Sequence, residues 1–416
     1  MDVYTAGYLE NGLGFLLAPR PGAHLTHLAL YLDHGVKDEA LEENGISHLL
    51  EHLIFNVASF RGRLKTLWET LARQGSQFGA WTGKEHTRFT LSVPSTALGQ
   101  ALEFLSDLVR NPAIHKAALE HERKIVLDEL ERKKGRPEYL INLLEEALFA
   151  PPYGLSILGR AEVVSKISEV ELRRKLKSFL HPERSRLVIA GRISDTCSEQ
   201  IRQHFEMWQT GGLNMPKPIS LTLEPRFVAL SRPGTRVGLY LGFAAPALTD
   251  VDRPAMEVLA QLLGGGLRSR TFKRVREQDG LAYAVGGNSI HWRWSGYVFI
   301  GAELARERLL EGYSSLLRAL EDLRRHLPDA VEVSEAAQAL SLSRLNEAES
   351  GGLAHRLGMH WMSGDLYFPS QAAEGYRNVQ ASDIEQVASY LDPQRMALLG
   401  VGTTEEEIAR LLEVSI

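Results

Sequence analysis

Cysteine is almost absent from these 416 residues, and Cys197 is the single one. A lone cysteine excludes an internal disulfide and any metal site built from several thiolates. It also fits a reducing compartment. Its neighbours, Ser194-Asp195-Thr196 and Ser198, bring no histidine close in sequence, so the base that a nucleophilic thiol needs is missing. Excess charge of one sign is missing too: 47 Lys and Arg stand against 52 Asp and Glu, a formal −5. That balance excludes the basic field that holds nucleic acid or an anionic membrane surface. The basic pair Arg324-Arg325 sits in a helical pattern rich in both signs and reads as a solvated face. No apolar run approaches the ~20 residues that a membrane span needs. The opening Met1-Asp2-Val3-Tyr4 lacks the basic and then apolar regions of a secretory signal. The expectation from these absences is a cytoplasmic protein with no nucleic-acid partner and no membrane span.

What is present is an ordinary globular balance of 44% hydrophobic and 24% charged residues. The length favours two domains. Early strands read clearly: Tyr4 to Leu9 and Leu13 to Ala18 flank the Asn11-Gly12 turn signal, and Leu25 to Leu32 follows. Helical patterns cover Ile46 to Ala72, Ala97 to Arg110, Ile114 to Lys134 and Val170 to Leu180, with alternating strands at His86 to Val93 and Arg186 to Ile193. The run Thr210 to Pro218 (TGGLNMPKP) breaks the pattern and places a linker over 210–220. The second half then repeats the order of the first. His181-Pro182-Glu183-Arg184-Ser185-Arg186-Leu187-Val188-Ile189-Ala190-Gly191 echoes Asp392-Pro393-Gln394-Arg395-Met396-Ala397-Leu398-Leu399-Gly400 about 210 residues on. The expected fold class is α+β, as two homologous halves, 1–209 and 221–416, each a mainly antiparallel sheet packed by helices.

Chemistry concentrates in Ile46-Ser47-His48-Leu49-Leu50-Glu51-His52-Leu53-Ile54-Phe55. Ile46, Leu49, Leu50, Leu53 and Ile54 fall on one helical face, which is core. His48, Glu51 and His52 fall on the neighbouring face, so two imidazoles lie one turn apart and point the same way. That spacing suits two nitrogens on one zinc ion, and Glu51 beside them can take a proton from water. The pattern His-x-x-Glu-His is the inverted zinc-peptidase motif. A catalytic zinc wants a third protein ligand. The stretch Leu119 to Lys134 turns Leu119, Ile125, Val126 and Leu130 towards a core and places Glu122 and Glu129, two turns apart, on the same side. Arg123, Lys124, Asp128 and Glu131 project to solvent in this reading. Carboxylates on an apolar face need a partner, and either a dication or a buried Arg or Lys serves. Spacing alone leaves Glu122 and Glu129 as alternatives.

His48-x-x-Glu51-His52 followed by Glu129 resembles the insulysin–pitrilysin–mitochondrial processing peptidase family. The likeness runs along nearly the whole chain, including Pro152-Tyr153-Gly154-x-x-Ile157-x-Gly159 and the duplicated halves. It implies a zinc endopeptidase with one Zn2+ per chain, held by His48, His52 and Glu129. It further implies Glu51 as the general base and Glu122 as the residue supporting the site. In the second half, Arg276 and Tyr283 match an Arg and a Tyr that peptide-cleaving members carry seven residues apart. There they hydrogen-bond substrate or a developing oxyanion across a chamber between the domains. A guanidinium and a phenol are good donors for that purpose. The triple glycine Gly264-Gly265-Gly266 lacks the Walker pattern and reads as a turn.

Two departures bear on substrate choice. The family's Phe-x-Gly-Thr after the motif is Phe55-Asn56-Val57-Ala58 here. Its Asn-Ala-x-Thr, which opens a substrate-pairing strand, is Gly79-Ala80-Trp81-Thr82. Ala80 and Trp81 are the expected peptide-binding positions, with the peptide adding to the sheet edge. Trp292 and Trp294 read as alternating strand residues. His24 with His27, and His355 with His360, have poor ligand spacing. The expected partners are a peptide substrate and a second subunit, as a homodimer or a heterodimer with a related chain. The alternatives are the zinc subunit of a heterodimeric peptide-maturation protease, or a non-catalytic partner or scaffold.

Overall fold

The computed structural model of the protein describes residues 4–112, 114–133, 137–209, 222–349 and 351–413. The expected linker over 210–220 lies outside the described residues. Two compact units emerge. The first comprises Met1–Lys134, Leu155–Lys217 and Glu347–Phe368, and the second Gly135–Gly154, Pro218–Asn346 and Pro369–Ile416.

The first unit is built on six strands: β1 (Thr5–Tyr8), β2 (Gly14–Pro19), β3 (Leu25–Leu32), β4 (Gln77–Thr82), β5 (Thr87–Pro94) and β6 (Ser185–Gly191). They lie in the order β1-β2-β6-β3-β5-β4, and every neighbouring pair except β2/β6 is antiparallel. The alternation read in His86 to Val93 is realised in β5: Phe89, Leu91 and Val93 are buried while the residues between them are partly open. The helix Leu98–Arg110 packs on β5 and β3, and the short helix Ile46–Ile54 packs on β4 and on the helix Lys116–Lys133. The helix Gly352–Met362, from far along the chain, lies on β3 and β6.

The second unit has five strands: β7 (Phe227–Leu230), β8 (Arg236–Ala245), β9 (Ala282–His291), β10 (Gly296–Ala305) and β11 (Ala397–Val401). Their order is β7-β11-β8-β10-β9, with β7/β11 the parallel pair. This reproduces β2-β6-β3-β5-β4 strand for strand. The echo read in the sequence falls on matching elements, since Pro182–Arg184 and Pro393–Arg395 are each one turn of 3-10 helix leading into β6 and β11. Leu239, Leu241 and Phe243 pack with Met256, Leu259, Leu263 and Leu316 in one core cluster. A separate cluster joins Leu144, Leu148 and Phe149, from the helix Pro137–Leu148 and the residue after it, to Tyr297 and Leu399. Each unit therefore takes one helix from the opposite half of the chain.

Four local features differ from the sequence pattern. The helical pattern of Ile46 to Ala72 is two helices, Ile46–Ile54 and Gly62–Arg73, parted by the turn Val57–Ser59, where Asn56 Oδ1 accepts from Ser59 N at 3.2 Å. Trp292 and Trp294 lie between β9 and β10 rather than on a strand; Trp292 packs on Phe149, Tyr153 and Tyr297. On Lys116–Lys133, Ile125 is 36% exposed, not core. Arg123 there is held by the carbonyls of Val164 and Ile167 rather than left to solvent.

Candidate metal centre

The helix Ile46–Ile54 buries Ile46, Leu49, Leu50, Leu53 and Ile54, as the apolar stripe requires. Its neighbouring face turns His48, Glu51 and His52 towards Lys116–Lys133, where Glu122 and Glu129 face them two turns apart. Three donor atoms converge. His48 Nε2 and His52 Nε2 are 3.2 Å apart, and Glu129 Oε2 lies 3.3 Å from His52 Nε2 and 3.7 Å from His48 Nε2. Donors bound at ~2.0–2.1 Å to one tetrahedral zinc stand about 3.3 Å from each other. The spacing therefore fits a single small cation, and among the described residues this is the one group of three or more His, Cys, Asp or Glu side chains found able to hold a metal.

The surroundings fix the donors. His52 Nδ1 lies 3.1 Å from Glu122 Oε2, which places a hydrogen on that nitrogen and turns Nε2 towards His48 and Glu129. Lys133 pairs with the other oxygen of Glu129. Glu122 is thus the carboxylate behind a histidine, and Glu129 the one beside both imidazoles.

Electrostatics show a site short of positive charge. Burial disfavours a cation at His52, yet hydrogen bonds to Glu122 and Glu129 outweigh it and raise its pKa to about 9. Burial, reinforced by the adjacent His52, holds His48 down at about 3. The His52 hydrogen bond, against the opposing effect of burial and with help from Lys133, holds Glu129 well below the usual carboxylate range. Glu51 is buried and its pKa is raised by that burial, with Thr82 opposing. Thr82 Oγ1 donates to Glu51 Oε2 at 2.6 Å. Thr82 ends the edge strand β4, and its contact with Glu51 is not legible from spacing, although it closes the Gly79-Ala80-Trp81-Thr82 segment.

Ala80 and Trp81 lie on β4, which pairs only with β5 and forms one edge of the sheet. Thr82, and with it Ala80, faces the metal helix; Gly79 and Trp81 face the other side. Trp81 is 40% exposed, and the Arg88 guanidinium stands 4.5 Å from its ring centre. In the second unit, the seven-residue spacing brings Arg276 and Tyr283 together. The Arg276 guanidinium lies 5.9 Å from the Tyr283 ring centre, and Arg236, unread in the sequence, lies 5.0 Å from it. Tyr283, near the start of β9, is 69% exposed. His355 is taken up by Tyr31, 2.7 Å from its hydroxyl. His27 lies 2.7 Å from Ser92 Oγ. No helix among the described residues is long and apolar enough to cross a membrane.

Two family profiles match the chain: "Insulinase (Peptidase family M16)" over residues 15–161 and "Peptidase M16 inactive domain" over 166–340. The chain belongs to the M16 (insulinase) peptidase family, in its small two-domain form. A Mycobacterium tuberculosis "uncharacterized zinc protease" is 31% identical over 284 residues, which are 67% of this chain and 65% of that protein's length. The Bacillus subtilis "uncharacterized zinc protease YmxG" is 26% identical over 82% of this chain and 83% of its own. Among solved structures, "a protease from Helicobacter pylori" superposes with a TM-score of 0.88 at 17% identity, covering 97% of this chain and all of that one. This last likeness is one of fold.

Proposed function

We propose that this chain is a zinc-dependent endopeptidase acting on peptides or small unfolded polypeptides, with His48, His52 and Glu129 as ligands of one zinc ion. The observation that carries the proposal is the convergence of two imidazole nitrogens and one carboxylate oxygen at tetrahedral-ligand spacing, with the buried Glu51 on the same helix face. What a bound zinc supplies there is Lewis-acid polarisation of the scissile carbonyl and a water acidic enough to react near neutral pH.

The chain's own residues do the rest. Glu51 takes the proton of the attacking water and returns it to the leaving amine; its burial makes it a better base than a solvated carboxylate. Thr82 holds one Glu51 oxygen, which leaves the other for the proton. Glu122 keeps His52 in its ligating tautomer. An extended peptide adds to the open edge of β4 at Ala80 and Trp81. Arg276 and Tyr283 supply a cationic and a phenolic donor to the substrate or its oxyanion. The second unit contributes no zinc, in keeping with the absence of a histidine motif on its helix Arg253–Gly264. The working form is a homodimer, or a pairing with a related sister chain, in the cytoplasm.

The test is metal content together with cleavage of a mixed peptide library by wild type and Glu51→Gln. About one zinc per chain in both, with cleavage by wild type alone, is the expected result. A zinc-loaded wild type that cleaves only when a related subunit is added would carry the heterodimer form. A chain that takes up no zinc after reconstitution would leave the scaffold alternative standing.

A further inference from the structure

We infer that Glu39 is a positioning residue for the proposed metal centre, acting through His48 by capping the first turn of the helix that carries it. The inference rests on the zinc reading above. The first N–H groups of any helix lack partners within the helix and are commonly satisfied by a Ser, Thr, Asp or Asn at the position just before it. Here that position is Gly45, which has no side chain to offer. It could hardly be otherwise. Gly45 has φ of +100°, and a Cβ there would stand 2.7 Å from Val164 Cγ2 and 2.8 Å from Gly159 Cα. The close approach of Gly159 rules out a local cap.

Glu39 supplies the cap from six residues upstream. Its Oε2 accepts from Gly45 N at 2.8 Å and its Oε1 from Ser47 N at 2.8 Å. The Asn44 amide donates to Oε2 at 2.9 Å and also to the Ser156 carbonyl at 2.9 Å, tying the cap to the 155–159 segment. The carboxylate is buried, and both its oxygens are engaged. His48 is the third residue of this helix, inside the turn that Glu39 holds. His52 is one turn further on and is fixed independently by Glu122. Loss of the cap therefore moves one ligand more than the other. A cap serving only helix stability would lower the melting temperature and leave the geometry of the folded site alone.

The two roles separate in a double-mutant cycle on the full chain, stripped of metal and titrated with Co2+ by visible absorbance and with Zn2+ against a chromophoric chelator. Glu39→Gln keeps the shape and loses one acceptor. It is expected to weaken Zn2+ binding about ten- to a hundredfold, the range for residues behind a ligand, and to alter the Co2+ spectrum. In a His48→Ala background, where only weak residual Co2+ binding at millimolar metal is followed by absorbance, the same change is expected to alter that residual affinity less than about twofold while still lowering the melting temperature. Should Glu39→Gln fail to fold, Asn44→Ala loosens the same carboxylate more gently, and a smaller weakening in the same direction is expected. Wild-type affinity and spectrum in Glu39→Gln, or equal weakening in both backgrounds, would overturn the positioning role alone. A wild type that binds neither metal would defeat the zinc reading and this inference with it.

Discussion

The two units neutralise buried acids near the counterpart helices Ile46–Ile54 and Arg253–Gly264 in opposite ways. Laying Leu49-Leu50 and Leu53-Ile54 onto Val258-Leu259 and Leu262-Leu263 puts Glu257 in the place of His48, Ala260 in that of Glu51 and Gln261 in that of His52. Facing Glu257, the helix Ala330–Ala348 offers Arg344 rather than a carboxylate. Arg344 Nη2 lies 3.1 Å from Glu257 Oε2, Arg253 Nη1 lies 2.9 Å from Glu257 Oε1, and the Tyr376 hydroxyl donates to the same carboxylate. Burial opposes charge on Glu257, but Arg253 and Arg344 together hold it ionised, far below the usual carboxylate range. The second unit carries its own cations, Arg253 and Arg344. The first unit gathers Glu51, Glu122 and Glu129 around two histidines, with Lys133 pairing Glu129 at the margin. On the proposed zinc reading, one scaffold uses a guanidinium for stability and, in its copy, takes the cation from outside.

Acid is expected to break the comparison most strongly. In the metal-free protein His34, His86 and His355, all in the first unit, are held neutral chiefly by burial, at about 3, 3 and 2. Their folded pKa values lie below the unfolded 6.5, so their contribution is intact above that pH and is lost as pH falls from 6.5 towards 3. The slope is about 1.4 kcal/mol per pH unit for each histidine. In the second unit His291 is lowered in the same sense. The depressed Glu257 holds its contribution down to the unfolded carboxylate range and loses it only below. Thermal melts followed at pH 7 and pH 5 by hydrogen exchange should show the first unit opening first.

Arg344→Met comes next. It leaves Glu257 buried with fewer partners, which is expected to cost about 3–5 kcal/mol of stability in urea while zinc affinity stays at the wild-type value. Zinc itself should stabilise the first unit by about 2.7 kcal/mol at a hundredfold excess over Kd, an increment that His48→Ala abolishes. The smallest effect is that of Glu122→Gln, which keeps the His52 contact without its charge. A tenfold to hundredfold weakening of zinc binding, about 1.4–2.7 kcal/mol, is expected from chelator competition.

Most of the site was legible because helical periodicity is short-ranged. His48, Glu51 and His52 share a face by arithmetic, and Glu122 and Glu129 differ by two turns, so each set is readable within its own helix. That arithmetic cannot choose between Glu122 and Glu129; the choice came from family resemblance, and the distances set Glu129 beside both imidazoles and Glu122 behind one of them. The contacts that cross from one element to another were not readable. Glu39 reaches the metal helix over a loop, and Thr82 reaches Glu51 from a six-residue strand whose burial does not alternate cleanly. The strands and their repeated order were readable from alternation and from the HPER/DPQR echo. The exchange of Pro137–Leu148 and Gly352–Met362 between units was not, because an apolar stripe tells which face is buried and not which sheet buries it.

Zinc content and affinity should be measured on metal-stripped, reconstituted wild type, His48→Ala and Glu257→Gln. About one zinc per chain in wild type and in Glu257→Gln, with tight binding gone in His48→Ala, is the predicted result. Tight binding that survives His48→Ala would contradict it.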